Sequence, residues 1–146
     1  MITEVNMRLS SFLLVFPLVS FFQGCSITRD IKPVPYKVTN ICVERNTDTL
    51  MDDYQGTIEK DLTSFGIKAK GIWPNEERDC EHIMKYHAEW TWDLAMYLSQ
   101  ATFSVYKEGV EVGYAKYEPG RFSFNLDKFG STDAKILPVL KALFNP

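Results

Sequence analysis

Residues 83–97, with the sequence IMKYHAEWTWDLAMY, decide the fold of this chain. Every even position from Met84 to Met96 is apolar, and the odd positions from Lys85 to Asp93 are polar. Such strict alternation predicts a long strand with one buried face and one wet face. We expect helices to cover the large side chains of the buried face, of which the largest are Tyr86, Trp90 and Trp92. The alternative for these three aromatic side chains is the lining of a ligand pocket.

Apolar periodicity predicts two helices that can cover this strand. The first spans 49–65 and carries one apolar stripe at three- and four-residue spacing, with Gly66 placed as its stop. The second has Ser131 or Thr132 as its cap and runs to Phe144. Both helices are amphipathic, so each needs a sheet or another helix against its apolar side.

Four further strands are predicted, over 36–43, 67–73, 101–107 and 110–117. A tight turn is expected at 98–100, and the residues Lys107-Glu108-Gly109 are a hairpin signal. The faces of the last strand stay open, because two pairs fit the core equally well, Val112 with Tyr114 and Ala115 with Tyr117. Residues 121–130 are predicted as a loop packed back on the domain.

The predicted order is therefore β-α-β-β-β-β-α, including a three-strand meander. Strands in succession with two helices predict an α+β fold, a two-layer sandwich in which both helices cover one face of an antiparallel-rich sheet. The length of 146 residues suits one domain. A net charge of -3 argues against a nucleic-acid partner and leaves no polybasic patch for a membrane surface.

The N-terminus has the features of an export signal. Arg8 supplies a positive charge, and an almost unbroken apolar run spans Phe12–Phe22. This run is too short to cross a bilayer as a helix, which needs about 20 residues, and it matches the apolar region of a signal peptide. Translation can start at Met1 or at Met7, since the segment after Met7 is the more compact signal.

The run ends in Gly24-Cys25-Ser26, which resembles the lipobox of bacterial lipoprotein signals. That resemblance implies a signal peptide over 1–24 and a lipid on Cys25. The lipidated chain then begins with a tether over 25–35, in which Pro33 and Pro35 disfavour regular structure, followed by one domain over 36–146. The resemblance also implies, with Ser26 after the cysteine, a chain anchored in the outer membrane whose domain faces the periplasm. The alternative is an ordinary cleaved signal peptide with an incidental cysteine.

The predicted fold resembles the small globular domains of outer-membrane lipoproteins, such as those of lipopolysaccharide assembly and curli secretion. Three segments, Ala88–Asp93, Gly113–Tyr117 and Lys128–Thr132 followed by Lys135-Ile136, resemble a family of small proteobacterial lipoproteins with no assigned function. The likeness covers most of the chain after Cys25. It carries no catalytic motif, so it implies location and fold but no site.

The three cysteines indicate a disulfide bond. If Cys25 carries lipid, Cys42 and Cys80 remain, and an even number of cysteines in an oxidising compartment favours their pairing. The bond would hold the charged loop before the long strand against the sheet. The alternative is a buried free thiol at Cys42 and an unrelated exposed thiol at Cys80.

The wet face of the long strand carries His87, Glu89, Thr91 and Asp93, with His82 close in sequence. Alternate residues of a strand project side by side, so His87 and Glu89 can share a proton or a metal ion. A catalytic zinc site usually takes three protein ligands, and the chain has only two histidines. We therefore expect a solvated face here, with neither a metal nor a cofactor.

Two classes of function stay open. The sequence holds no G-x-S-x-G motif and no phosphate-binding glycine-rich loop, so we expect no enzyme. The first class is an envelope lipoprotein that binds another protein or an assembly intermediate at the outer membrane. The second is a binder of a small molecule, lipid or glycan that uses an apolar pocket between sheet and helices.

Overall fold

The computed structural model describes residues 28–49, 51, 53–76, 79–119 and 129–144. Along the chain these residues form β1 (Thr28–Lys32), β2 (Asn40–Glu44), α1 (Tyr54–Ser64), β3 (Lys68–Ile72), β4 (His82–Asp93), β5 (Ala95–Lys107), β6 (Val110–Glu118) and α2 (Thr132–Phe144). The predicted signal peptide, Cys25 and most of the predicted loop over 121–130 lie outside the described residues.

The described strands form one open sheet in the order β1-β6-β5-β4-β2-β3. The antiparallel meander β4-β5-β6 is present as predicted, while β2 lies parallel to both β3 and β4. Helix α1 packs against β3, and α2 packs against β6, β1 and β5. The α+β class and the two-layer arrangement are thus confirmed, with a mixed sheet of six described strands.

Strand β1 corrects the prediction for the segment after Cys25. Residues 28–32 were expected to belong to an irregular tether, because Pro33 and Pro35 disfavour regular structure. Instead they pair antiparallel with β6, from Thr28 opposite Glu118 to Lys32 opposite Tyr114. The two prolines follow the strand rather than interrupt it, and β1 lies at an edge of the sheet, where proline is tolerated.

Both helices present the predicted apolar stripes to one core. Ile58 and Leu62 of α1 and Ile136 and Leu140 of α2 are fully buried, and they join the buried strand residues in a single cluster. Helix α1 starts five residues later than predicted, at Tyr54, and Asp53 before it makes no capping bond with its side chain. Gly66 follows the helix with a φ of 90°, as its predicted stop requires.

Strands β4 and β5 are longer than either helix. Two predictions for this hairpin are corrected, namely the position of its turn and the burial of Trp92. The turn falls at Leu94 instead of 98–100, so the chain reverses between Asp93 and Ala95. A β-bulge lies at Ser99, because Glu89 pairs with Gln100 and Trp90 pairs with Leu98. At about 3.3 Å per residue the 12 residues of β4 span about 40 Å. The 11 residues of α1 span about 16 Å.

The exposure of Trp92 follows from that difference in length. Along the predicted buried face, Met84, Tyr86 and Ala88 are buried and Trp90 is half-buried, but Trp92 is 69% exposed. The expectation that helices cover Trp92 was therefore wrong, because the strand continues beyond the start of α1.

The β5–β6 hairpin turns through two residues, as predicted. Glu108 and Gly109 have φ values of 51° and 78°, which is the left-handed pair that a tight hairpin turn takes. The open question about β6 is settled in favour of Ala115 and Tyr117, which face the core together with Gly113. A side chain at Gly113 would collide with Val34, so α2 and the segment after β1 pack closely there.

Candidate functional site

The predicted polar row on β4 is exposed, and it brings one pair into contact. His87 Nε2 lies 3.2 Å from Glu89 Oε1, and both side chains are about half exposed to solvent. Thr91 and Asp93 continue the row toward the turn and are also exposed. Over residues 28–49, 51, 53–76, 79–119 and 129–144, no group of three His, Cys, Asp or Glu side chains is arranged to hold a metal ion.

His82 does not join this row, although it lies close in sequence. It begins β4 on the opposite, buried face, where its ring is tilted against Tyr36 with centroids 5.7 Å apart. Burial is the main cause that lowers the pKa of His82, so the ring is held neutral at physiological pH. The two histidines thus lie on different faces of the sheet and cannot act on one ligand.

The disulfide bond between Cys42 and Cys80 is present, which confirms the predicted pairing. The Cα atoms are 5.9 Å apart, within the usual range for a disulfide. Cys42 lies between Ile41 and Val43, whose side chains enter the core, so it projects from the other face of β2. The bond therefore ties the loop before β4 to the sheet face that the helices leave open.

The β4–β5 hairpin extends beyond the neighbouring strands and ends in three apolar side chains. Trp92 stands directly opposite Met96, and Leu94 is the single residue between the strands. Their exposed fractions are 69%, 56% and 84% respectively. We call these three residues the apolar tip.

A polar cleft of about 390 Å³ lies where β2 and β3 end and α1 begins. The Arg45 guanidinium carbon stands 4.6 Å from the ring centroid of Trp73, and Trp73 is 53% exposed. Asn46 fixes the floor of the cleft, because its side-chain amide donates to the Tyr86 carbonyl at 2.8 Å. Its backbone N–H also donates to the Tyr86 hydroxyl at 3.3 Å.

The position of this cleft follows from the topology. Strand β2 has β3 on one side and β4 on the other, and it runs parallel to both. The connections that follow β2 and β3 therefore run in opposite directions across the sheet, which makes the carboxyl end of β2 a topological switch point. Open sheets with parallel strands bind ligands at such points. A second, more apolar cleft of about 640 Å³ lies beside Tyr36, Phe65 and Phe144, at the carboxyl ends of the two helices.

The helix layer holds one perturbed carboxyl group. Asp61 is buried on α1, and this burial, followed by repulsion from Asp133 of α2, raises its pKa to about 6. Lys60 Nζ lies 2.8 Å from the Asp133 carboxylate and joins the two helices at the surface. Because of this raised pKa, Asp61 makes the free energy of unfolding depend on pH. Asp61 is part of neither the apolar tip nor the lining of the polar cleft.

Sequence reasoning missed Leu94, Arg45 and Trp73 as features of interest. Leu94 continues the alternation of β4, so periodicity places it inside a strand and gives no sign of the turn. Trp73 precedes a proline at a strand end, a position that indicates a loop and hence an exposed side chain. Arg45 and Trp73 are 28 residues apart, and only the parallel pairing of β2 with β3 brings them together.

No helix among the residues that the structure describes is both long enough and apolar enough to cross a membrane.

Known structures share this fold. A PelC dodecamer from Paraburkholderia phytofirmans, a point variant crystallised in space group C2, matches with a TM-score of 0.59 and 14% sequence identity. The match covers 82% of this chain and 98% of that one. A second PelC dodecamer from the same organism, in space group P6, matches with a TM-score of 0.57 and 15% identity over the same shares. No protein-family model matches the chain, and no curated protein sequence matches it.

Proposed function

We propose that this chain is a non-enzymatic envelope lipoprotein that assembles with copies of itself and binds a protein partner at the outer membrane. The observation that carries the proposal is the fold shared with PelC over 98% of that chain, because PelC forms a dodecamer. At 14% identity the likeness is one of fold. PelC assembles with copies of itself, and this is the property that we propose for the present chain.

The lipid anchor is the second part of the proposal. Gly24-Cys25 fits a lipobox, and Thr28, the first described residue, follows Cys25 by three positions. A lipid on Cys25 would therefore hold the domain close to the membrane, on the periplasmic side of the outer membrane. Feeding cells a clickable palmitate tests this, since the wild type should be labelled and Cys25→Ser should not. Labelling of both proteins, or of neither, contradicts the anchor.

Self-assembly is tested on the lipid-free mature chain. Residues 25–146 with Cys25→Ser, secreted behind a signal peptide that is cleaved without lipidation, retain every residue that the structure describes. Native mass spectrometry and light scattering between about 1 and 100 µM should show one closed oligomer with a defined number of copies. A monomer at every concentration contradicts self-assembly, and a continuous ladder of sizes contradicts a closed ring.

The protein partner is tested by affinity purification from envelope extracts after cross-linking. A partner present in a fixed ratio to this chain supports an assembly role. Recovery of this chain alone, from membranes in which the lipidated protein is present, contradicts the partner but leaves self-assembly standing.

A second candidate function is the binding of a sugar or another polar small molecule in the polar cleft. The specific observation is the half-exposed Trp73 ring beside Arg45, because an aromatic face with a nearby charge suits a ligand that has both apolar and polar sides. Saturation-transfer NMR against a set of envelope glycans tests it. Trp73→Ala should abolish any transfer, and Trp92→Ala, which removes another exposed tryptophan, should leave it unchanged.

A further inference from the structure

We infer that the apolar tip, Trp92, Leu94 and Met96, docks on the lipid surface of the membrane that holds the N-terminal anchor. The inference deepens the proposed function and rests on it for the identity of that membrane. Exposed apolar side chains are ordinary when they are scattered, but three at one hairpin end form a contiguous patch, and such a patch marks a contact surface.

The backbone at Leu94 supports a role for its side chain. Leu94 has a φ of 62°, a conformation that glycine and asparagine adopt readily and that other residues adopt at a cost. The chain thus places a leucine, 84% exposed, at a position where a polar turn residue would fit better. Strain and exposure together at one residue point to function instead of folding.

The register of the sheet places the start of the domain at the same end as the tip. Thr28 lies opposite Glu118 of β6, and the neighbouring Tyr117 lies opposite Ala101 of β5. Strands β1 and β5 therefore run in the same direction, and both begin at the end from which the hairpin projects. Thr28, the first residue that the structure describes, therefore lies at the tip end of the sheet.

A lipid on Cys25 and the apolar tip can both contact one membrane surface. Glu118, the last residue of β6, is level with Gln100 and Glu89, and the four residues from Glu89 to Asp93 carry the tip about 13 Å beyond it, at 3.3 Å per residue. Cys25 precedes Thr28 by three residues, which span at most about 10 Å. A lipid on Cys25 adds the length of its acyl chains, so the anchor and the tip can reach the same bilayer.

The chemistry of the tip favours lipid over a second protein. Tryptophan prefers the boundary between water and hydrocarbon, and leucine and methionine suit the layer beneath it. Three side chains offer much less area than the roughly 800 Å² that each partner contributes to a stable protein interface. A contact of this size suffices to orient a domain that a lipid already holds.

Charge near the tip predicts which lipids it accepts. Described charges of both signs lie near it: Asp93 and Glu89 are exposed on the hairpin, and Lys135 Nζ of α2 stands 5.9 Å from the ring centroid of Tyr97, which follows the tip residue Met96. Attraction to anionic lipid is therefore not expected. Docking should occur on zwitterionic phosphatidylethanolamine and phosphatidylcholine vesicles, and it should change little with salt.

The test tethers the mature chain to vesicles through Cys25. Because Cys42 and Cys80 are bonded to each other, Cys25 is the one free thiol, and a maleimide lipid can stand in for the natural anchor. The vesicles carry lipids brominated on the acyl chains, which quench tryptophan fluorescence on contact. Trp73→Phe/Trp90→Phe leaves Trp92 as the only reporter, and the matched Trp90→Phe/Trp92→Phe leaves Trp73, which is also exposed but lies near the polar cleft.

We expect brominated lipid to quench Trp92 at least threefold more strongly than Trp73. Leu94→Asn in the Trp92 reporter should reduce this quenching about fivefold, because burying a leucine side chain contributes a large part of such a small contact. Circular dichroism on each variant shows whether it is folded. Equal quenching of Trp92 and Trp73 in folded variants overturns the inference.

The same variants separate this inference from the proposed function. If Leu94→Asn reduces the size of the lipid-free oligomer, a second copy covers the tip and membrane docking is overturned while self-assembly stands. If the palmitate label is absent from Cys25 in cells but Trp92 is quenched on tethered vesicles, the tip binds lipid and the natural anchor is what fails.

Discussion

The Tyr54 ring meets the Trp90 ring edge-on, with centroids 5.2 Å apart and an interplanar angle of 87°. Tyr54 is the first residue of α1, and Trp90 is the last residue on its face of β4 that is substantially covered. Two positions further along the same face, Trp92 is 69% exposed. This aromatic contact is therefore the border between the packed core and the hairpin that projects beyond it.

The two tryptophans on either side of this border should differ in their effect on stability. Trp90→Ala should lower the free energy of unfolding by about 3 kcal/mol, because it removes a half-buried ring and its contact with Tyr54. Trp92→Ala should change it by less than about 0.5 kcal/mol. Urea unfolding at low protein concentration measures both, with Thr91→Ala as the control on the wet face. Equal losses for the two tryptophans would show that Trp92 is covered in solution.

The comparison of these two residues shows what periodicity can predict. Alternation is local, so the sequence predicts the faces of β4 correctly from Met84 to Trp90. Exposure at Trp92 depends on where α1 begins, which is a property of a separate segment. The alternating pattern of β4 does not indicate how long this strand is relative to α1, the helix that covers part of it.

The topology was predictable only in part, for a similar reason. Hairpin signals such as Glu108-Gly109 act between neighbours in sequence, and the meander was predicted from them. The position of β2 between β3 and β4 depends on pairing across dozens of residues, as in Cys42 opposite Ile83. The Arg45–Trp73 contact in the polar cleft follows from that pairing, so it could not be predicted from local sequence patterns.

Removal of the disulfide should destabilise the domain strongly. Cys42 and Cys80 close a loop with a sequence separation of 38, for which the chain-entropy model gives a stabilisation of about 3.9 kcal/mol. Cys42→Ala/Cys80→Ala should lower the free energy of unfolding by about this amount, and reductant should do the same to the wild type. Intact mass after alkylation under non-reducing, denaturing conditions is the control, and two alkylated thiols on Cys42 and Cys80 would contradict the bond.

Asp61 should make stability depend on pH with a definite sign. Burial raises its folded pKa to about 6, whereas an unfolded aspartate titrates near 3.9. The folded state therefore holds this proton more tightly, so its stabilising contribution is full below about pH 4 and is lost as the pH rises through about 6. Between pH 4.5 and pH 8 the wild type should lose about 1–2 kcal/mol that Asp61→Asn does not lose.

The comparison with Asp61→Asn isolates this group from His82. Burial lowers the pKa of His82, so its contribution has the opposite sign: it is present above the unfolded pKa near 6.5 and is lost as the pH falls from there through the lowered folded pKa. Both proteins carry His82, and the difference between their urea midpoints across the pH range cancels it. A difference that stays constant from pH 4.5 to pH 8 would show that Asp61 titrates normally.

Leu94 should lower the free energy of unfolding while it favours contact with lipid at the hairpin end. Its φ of 62° costs roughly 1 kcal/mol for a leucine, and asparagine tolerates the same conformation. Leu94→Asn should therefore raise the free energy of unfolding by about 0.5–1 kcal/mol while it weakens contact with lipid. The matched control is Gly109→Ala at the other hairpin, where φ is 78° and the same physics predicts a loss of about 1 kcal/mol. If Leu94→Asn destabilises the domain in urea, the leucine contributes to folding at this position, and its backbone conformation does not indicate a role in lipid contact.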